Sequence, residues 1–223
     1  MTAPHDDASR RALIRAHTSL SAPSLVPELR LHLATEMTPL WHATQELLDD
    51  ADMQPPFWAF AWPGGQALAR VLFDDNVHVA RRDVFVLAAG SGVDAIAAAC
   101  AGASRVVAAD IDPFARSAIG LNALANHVAI EVVDGDPLDE PPPAVDVILA
   151  GDVCYDERMA PRVIAWLRRA AATGTEVLIA DPGRAYFPAD GVEWIAWHRV
   201  PTSRELEEGD SRETVVARLH PCS

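Results

Sequence analysis

The chain contains no lysine, so all eighteen of its basic residues are arginine. An enzyme that modifies side-chain amines could therefore not modify itself. The only cysteines are Cys100, Cys154 and Cys222, and their wide spacing predicts neither a disulfide framework nor a zinc site. No apolar run approaches the roughly 20 residues that a membrane-spanning helix needs. The first residues are acidic rather than basic, which argues against a targeting segment, so we expect a cytoplasmic protein.

Acidic residues outnumber basic ones by 32 to 18, which gives a net charge of −14. This charge disfavours a nucleic-acid partner, because contacts to phosphate supply most of the affinity there. It suits a basic or cationic substrate, although acidity also serves solubility alone. The length of 223 residues and the 50% hydrophobic content predict one folded domain. The sequence does not determine the oligomeric state, for which a monomer is the default expectation.

From residue 83 onward, the hydrophobic pattern alternates between strands and helices, which predicts an α/β fold with a mostly parallel sheet. Predicted strands cover 84–89, 105–109, 129–133, 145–150 and 176–180, and predicted helices cover 93–101, 113–126 and 158–172. Residues 1–55 are predicted as an N-terminal helical extension, with Leu40, Trp41, Leu47 and Leu48 as apolar positions, and 56–223 as a Rossmann-like core.

The chain ends with strand-like runs at 193–200 and 213–219 that no helical pattern separates. Two successive strands without a crossover helix usually form an antiparallel pair. A parallel sheet completed by such a pair is the seven-stranded arrangement of class I methyltransferases rather than the all-parallel sheet of dehydrogenases.

A glycine-containing loop follows the first predicted strand. Gly90 and Gly92 open the next helix, and a backbone without Cβ atoms can approach a ligand closely at a helix N-terminus. We expect Gly90, Ser91 and Gly92 to contact a cofactor, S-adenosylmethionine in the methyltransferase interpretation. Asp110 lies eighteen residues after Gly92, and an acid about 20 residues on commonly binds ribose hydroxyls. We assign that role to Asp110, and we expect the adjacent Ile111 to contact the cofactor as well.

Two alternatives concern the acidic residues. Asp112 precedes a proline and suits a helix cap, which leaves Asp110 for the ribose. Asp136 follows the third strand of the core and could receive the adenine amino group, but aspartate and glycine also dominate ordinary turns. The loop from Gly90 also satisfies the dinucleotide pattern G-x-G-x-x-A, so an NAD-binding protein is an alternative.

The fourth strand of the core is predicted to end near Gly151 and Asp152, with Tyr155 three residues further. The carboxyl ends of parallel strands form the ligand-facing edge of such a sheet, so these residues would lie beside the cofactor. Asp152 and Tyr155 are the candidate catalytic residues for methyl transfer to an amine, a reaction that needs no metal. A carboxylate attracts an ammonium but also raises its pKa, so Asp152 is assigned positioning and charge neutralisation. A helix cap and a packing contact are the structural alternatives.

The combined pattern resembles the seven-strand lysine methyltransferases that modify the β subunit of electron transfer flavoprotein, including bacterial members. The matching residues are Pro27–Leu33, Phe57–Arg70, Gly90–Gly92 with Ala95–Ala98, Asp110–Ala115, Asn122, Asn126, Gly151–Tyr155 and Asp181–Arg184.

The resemblance implies that Asp152 and Tyr155 form the D-x-x-Y motif of the family at the substrate amine. It also implies that Trp58 and Trp62 line the site, where an indole face stabilises a cation. Further cofactor contacts are expected from Gly64 and Gln66. The implied activity is lysine methylation of the flavoprotein β subunit. Another protein or a small amine as substrate, an NAD-binding protein, and a degenerate fold kept for interaction are the alternatives.

One residue departs from the pattern of the family. An acidic residue usually stands two positions before the first glycine of the loop and orients the amino-acid end of the cofactor, but this chain has Ala88 there. The alternatives are weaker cofactor binding and compensation by a neighbour such as Asp94.

Overall fold

The computed structural model describes residues 6–34, 55–202 and 209–221. The expected apolar positions Leu40, Trp41, Leu47 and Leu48 lie outside these residues, as does Cys222. In the part of the chain that the structure describes, no helix is long and apolar enough to cross a membrane.

Strands and helices alternate through the described core, close to the predicted positions. The strands are β1 (Ser19–Ser21), β2 (Leu31–Leu33), β3 (Asp83–Leu87), β4 (Arg105–Ala109), β5 (Glu131–Val133), β6 (Val147–Gly151), β7 (Glu176–Asp181), β8 (Val192–Pro201) and β9 (Ser211–Leu219). The helices are α1 (Asp7–His17), α2 (Pro63–Asp74), α3 (Val93–Cys100), α4 (Pro113–Ala125) and α5 (Met159–Ala172), with short 3-10 helices at Phe57–Ala59, Asn76–His78 and Pro137–Asp139.

Seven of the strands form one sheet in the order β5-β4-β3-β6-β7-β9-β8. The first five strands of this order, from β5 to β7, are parallel to one another. Strand β9 is antiparallel to both β7 and β8. The predicted parallel sheet with a closing antiparallel pair is therefore confirmed. Because the order reverses between β3 and β6, the carboxyl ends of β3, β4 and β6 flank the crevice where ligands bind in open α/β sheets.

Both faces of the sheet are covered by helices. Along β3, Val84 and Val86 pack into the core on the side of α2 and α3. Phe85 and Leu87 point to the opposite side and pack with Trp166 of α5. Side chains of a strand alternate between the two faces, so a strand buried on both must be apolar at every position. This explains the continuous apolar run that predicted β3.

The N-terminal segment is helical at α1, as predicted, but it also contains a two-stranded antiparallel sheet of β1 and β2. The sequence pattern did not predict this sheet, because strands of three residues are too short to show a periodicity. Two amide side chains, one in α4 and one at its C-cap, attach the segment to the core. Asn122 accepts the backbone N–H of His32 at 2.7 Å, and Asn126 bonds both backbone groups of Arg30.

Candidate active site

A cavity of about 360 Å³ lies where β3, β4 and β6 end. This volume falls within the range of roughly 300–1,000 Å³ that is usual for small-molecule sites. The lining residues are Pro55, Phe57, Trp58, Phe60, Trp62, Gly65, Ala88, Ala89, Gly90, Ser91, Val93, Asp94, Asp110, Ile111, Asp112, Ala115, Gly151, Asp152, Val153, Tyr155, Met159 and Arg184.

The loop after β3 uses its two glycines in different ways. Gly90 has φ +53°, and a Cβ atom there would meet nothing within 4 Å, so the backbone borders open space. Gly92 has φ +78° and is the N-cap of α3, where a Cβ atom would approach Ile119 at 3.2 Å. Gly90 and Ser91 therefore line the cavity, whereas Gly92 packs against α4. Asn122 fixes the loop by donating to the carbonyl oxygen of Ser91 at 2.8 Å.

Two residues other than glycine have positive φ at the cavity. They are Ala88, with φ +52°, and Asp152, with φ +57°, and each stands next to the last residue of a strand, β3 or β6. A residue with a Cβ atom in this conformation costs about 1–2 kcal/mol, although aspartate adopts it more readily than alanine. Strained backbone of this kind is typical of functional sites.

Asp110 orients the backbone at the end of β4. Its two carboxylate oxygens accept the backbone N–H groups of Gly90 at 2.8 Å and of Asp112 at 2.9 Å. Asp112 is the N-cap of α4 and accepts the backbone N–H of Phe114 at 2.8 Å, which confirms the predicted cap. A carboxylate has about four acceptor positions, so Asp110 keeps acceptor capacity towards the cavity.

Asp152 is held from three directions. Its Oδ2 accepts the backbone N–H of Gly65 in the first turn of α2 at 2.9 Å. Its Oδ1 accepts Nη1 of Arg184 at 2.7 Å, and its own backbone N–H donates to the carbonyl of Ala180 at 2.9 Å. Asp152 thus places a negative charge at the N-terminus of α2, where it is favourable. Asp152 thus does cap a helix, but the helix is α2, which comes earlier in the chain, and not the helix that follows Asp152.

Glycines allow α2 to approach the strand ends closely enough for this contact. A Cβ atom on Gly64 would lie 2.5 Å from the carbonyl oxygen of Ala180 and 2.6 Å from Oδ2 of Asp152. A Cβ atom on Gly151 would lie 2.7 Å from the backbone nitrogen of Gly65. Gly64 was predicted to contact a cofactor, but the structure places it against the strand ends, and Gly65 lines the cavity instead.

Aromatic side chains form one wall and the entrance of the cavity. Trp58 is 2% exposed and stacks on Phe114 of α4, with ring centroids 5.9 Å apart. Phe57 lies 5.8 Å from both Trp62 and Tyr155, and it is 37% exposed. Tyr155 is 49% exposed. Trp58 is thus an inner wall that is also core, whereas Phe57, Trp62 and Tyr155 form an aromatic entrance.

The cavity lining contains four carboxyl groups. Its carboxylates are Asp94, Asp110, Asp112 and Asp152, and among the described residues Arg184 is the cation in the lining. Burial raises the pKa of Asp94 to about 7 and the pKa of Asp112 and Asp152 to about 6. These shifts mean that a positive ligand would be stabilised here. S-adenosylmethionine carries a sulfonium and an ammonium, which fits this lining, whereas the pyrophosphate of NAD would be repelled.

Most of the predicted site residues lie together at this cavity. Trp58, Trp62, Gly90, Ser91, Asp110, Ile111, Gly151, Asp152 and Tyr155 line it, whereas Gly64, Gln66, Gly92 and Asp136 do not. Asp136 caps the short helix Pro137–Asp139 through the N–H of Leu138 and pairs with Arg162 at 2.9 Å. Because Asp136 does not line the cavity, the structure does not support the predicted adenine contact.

Gln66 is also placed away from the cavity. It is buried, and its Oε1 accepts the N–H of Leu25 at 3.0 Å and the hydroxyl of Ser24 at 3.2 Å. Its Nε2 donates to the carbonyl of Ala61 at 2.6 Å. Gln66 therefore attaches the N-terminal segment to α2, and it does not line the cavity where the predicted cofactor contact would be made.

Replacing Gln66 by leucine tests this structural role. The N–H of Leu25 and the carbonyl of Ala61 would lose their partner, so we expect the free energy of unfolding to fall by about 1–3 kcal/mol. The affinity for S-adenosylhomocysteine, measured by calorimetry, should stay within about twofold. Unchanged stability combined with much weaker binding would return Gln66 to the cofactor site.

Several cavity residues were not predicted as site residues, and three of them carry polar or flexible side chains: Asp94, Arg184 and Met159. Asp94 was considered only as a possible replacement for the acid missing at Ala88, and Arg184 appeared only in a matching motif without a role. Met159 is the first residue of α5, and its side chain also lines the cavity. The one sequence signal for Asp94 was an acid in the first turn of a helix directly after the glycine loop.

Comparisons with known proteins identify the class. The profile of the ribosomal protein L11 methyltransferase (PrmA) family matches residues 70–154. A ribosomal protein L11 methylase from Lactobacillus delbrueckii has a similar structure, with a TM-score of 0.50 and 20% identity over 69% of this chain and 77% of that one. A tRNA (uracil-54, C5)-methyltransferase from Pyrococcus abyssi, with S-adenosyl-L-homocysteine bound, gives a TM-score of 0.52 at 16% identity over 70% and 38%. The sheet order and this similarity show that the chain has the fold of the class I methyltransferases.

More similar relatives define the family. The electron transfer flavoprotein beta subunit lysine methyltransferase of Mus musculus is 35% identical over 96% of this chain and 86% of its own length. The human protein of the same name is 37% identical over 94% and 82%. The chain therefore belongs to the family of electron transfer flavoprotein beta subunit lysine methyltransferases.

Proposed function

We propose that the protein methylates lysine side chains of the β subunit of electron transfer flavoprotein. The observation that carries this proposal is the extent of the similarity to the animal enzymes of that name, which covers 94–96% of the chain. The similarity thus includes the aromatic entrance and the Asp152 region as well as the cofactor fold. The negative cavity supports a positively charged substrate group.

The pairing of Asp152 with Arg184 suits the chemistry of an amine. The cofactor supplies a methyl group on a sulfonium, and the accepting amine must be neutral and aligned at about 3–3.5 Å. A bare carboxylate would raise the pKa of the amine and keep it protonated. Since Arg184 offsets part of the charge, Asp152 can orient the amine as a hydrogen-bond acceptor with a smaller effect on its pKa.

The aromatic entrance supports a lysine of a protein surface as the substrate. Phe57 and Tyr155 are both partly exposed and stand 5.8 Å apart. Aromatic faces stabilise an ammonium and also accept the apolar stem of a lysine. A lysine side chain that passes along the exposed faces of these rings would bring its nitrogen towards Asp152, which lies deeper in the cavity.

The test is methylation of purified electron transfer flavoprotein from the same organism with a radioactive methyl donor. We expect label on the β subunit, with the site assigned to lysine by mass spectrometry. Because the enzyme contains no lysine, it adds no background from lysine self-methylation. A β subunit with the assigned lysine changed to arginine is the matched control and should take up no label.

Two outcomes would contradict parts of the proposal. Label on a different protein of the cell lysate, with none on the flavoprotein, would reject the substrate but keep the methyltransferase. Label on a small amine alone would reject a protein substrate altogether.

A further inference from the structure

Asp94 is a cavity carboxylate to which the proposed reaction assigns no role. It lies in the first turn of α3, lines the cavity and is only 3% exposed. Its Oδ1 accepts the backbone N–H of the adjacent Ala95 at 2.9 Å. In the part of the chain that the structure describes, no side chain donates a hydrogen bond to this carboxylate.

The other carboxylates of the cavity each have an arginine nearby, Arg116 for Asp110 and Asp112 and Arg184 for Asp152. Asp110 accepts two backbone N–H groups, one of them from the neighbouring loop. Asp152 accepts a backbone N–H and pairs with Arg184. Asp112 is the cap of α4. Among the described residues, Asp94 is therefore the cavity carboxylate whose charge no arginine offsets.

The burial of Asp94 is costly as it stands. Aspartate is rarely buried without a partner, because an unpaired charge loses its hydration. Burial is the main cause of the rise in the pKa of Asp94 to about 7, and the nearby charge of Asp152 is a smaller cause. The N-terminus of α3 offsets only part of this cost. A cation donated by a ligand would offset the rest.

We propose that Asp94 binds the α-ammonium group of the amino-acid part of the cofactor. The proposal rests on S-adenosylmethionine being the ligand of this cavity. Of its two cationic groups, the sulfonium has no N–H, whereas the ammonium has three donors for a carboxylate with free oxygens. Asp94 shares the loop region with Gly90 and Ser91, and the methyl side chain of Ala88 in the same wall has no acceptor to offer.

Asp94 and Asp152 belong to different segments of the cavity wall, although they are near enough for the charge of Asp152 to raise the pKa of Asp94. Asp152 and Tyr155 belong to the segment after β6, beside the aromatic entrance. Asp94 instead belongs to the helix that follows β3, on the side of the cavity formed by the glycine loop. The two carboxylates thus bind different groups: Asp94 binds the ammonium group of the cofactor, and Asp152 binds the amine of the substrate.

The experiment compares two ligands by calorimetry. One is S-adenosylhomocysteine and the other is its analogue with hydrogen in place of the α-amino group. The wild-type protein should bind S-adenosylhomocysteine roughly 10- to 100-fold more tightly than the analogue, as expected for a charge-assisted hydrogen bond. The Asp94→Asn variant should lose this preference, because its affinity for S-adenosylhomocysteine falls and its affinity for the analogue stays within about twofold.

Controls separate binding from folding. Without ligand, the melting temperature of Asp94→Asn should equal or exceed that of the wild type, since the variant removes a buried charge. If asparagine disturbs the helix, the Asp94→Ala variant takes the place of Asp94→Asn in the same assay, because alanine is already frequent in α3. Asp136→Asn, outside the cavity, should keep the wild-type preference between the two ligands.

Each contrary outcome has a distinct meaning. An equal loss of affinity for both ligands would show a purely structural role and overturn the proposal, as would an unchanged preference for S-adenosylhomocysteine. Failure of the wild-type protein to bind either ligand would instead reject the cofactor, and with it the proposed function.

Discussion

Replacing Asp152 by asparagine is expected to lower the turnover of lysine methylation by about 100-fold or more, the cost of misplacing a reacting group by about 1 Å. The affinity for S-adenosylhomocysteine should stay within about threefold. Asparagine has nearly the same volume and tolerates the positive φ at this position. It carries no charge, however, and cannot keep Arg184 in place while also accepting the N–H of Gly65 and orienting an amine.

The measurement combines single-turnover kinetics with calorimetry and a melting curve. Breaking a buried ion pair typically costs about 3–5 kcal/mol of stability, but Arg184 keeps Asp181 as a neighbour at 3.5 Å, so the loss should be smaller. Kinetics are therefore recorded well below the melting temperature of the variant. Asp136→Asn is the matched control, and turnover retained by Asp152→Asn would remove Asp152 from the substrate amine.

The sequence predicted the elements whose local signals agree with the tertiary structure. α4 begins at Pro113, because proline suits the first turn and Asp112 caps it. The strand β3 was predicted because both of its faces are buried. The antiparallel pair β8 and β9 followed from the missing crossover helix.

Local signals were insufficient where a contact joins distant residues. Asp110 and Asp136 both follow a strand and carry the same chemistry. Only the packed structure shows that one faces the cavity, whereas the other caps a short helix and pairs with Arg162. Gln66 likewise stands in the expected segment, but its partners Ser24 and Leu25 belong to the N-terminal segment.

The Asp152–Arg184 pair could not be predicted either. The two residues are 32 positions apart, and they meet because β6 and β7 are neighbours and end at the same edge of the sheet. The positive φ of Asp152 directs its side chain back under α2, where Gly64 and Gly65 allow the approach. The local sequence around Asp152 or Arg184 shows which residue types are present, but it does not show that the two side chains meet.

Replacing Asp110 by alanine is expected to weaken the binding of S-adenosylhomocysteine by roughly 100-fold or more. One or two charge-assisted hydrogen bonds to the ribose would be lost, each contributing about 1.5–3 kcal/mol. The structure adds a second cause, since Asp110 also accepts the N–H groups of Gly90 and Asp112. The variant would therefore also loosen the loop that borders the cofactor.

Calorimetry with a second ligand separates these two causes. The analogue of S-adenosylhomocysteine without the two ribose hydroxyls cannot bond to Asp110 through the ribose, so the penalty of Asp110→Ala for this ligand should contain only the loop contribution. We expect that penalty to be at least about tenfold smaller than the penalty for S-adenosylhomocysteine. Equal penalties would mean that Asp110 acts on the cofactor only through Gly90 and the loop. Unchanged affinity for both ligands would exclude Asp110 from cofactor binding and leave Asp94 as the main carboxylate contact.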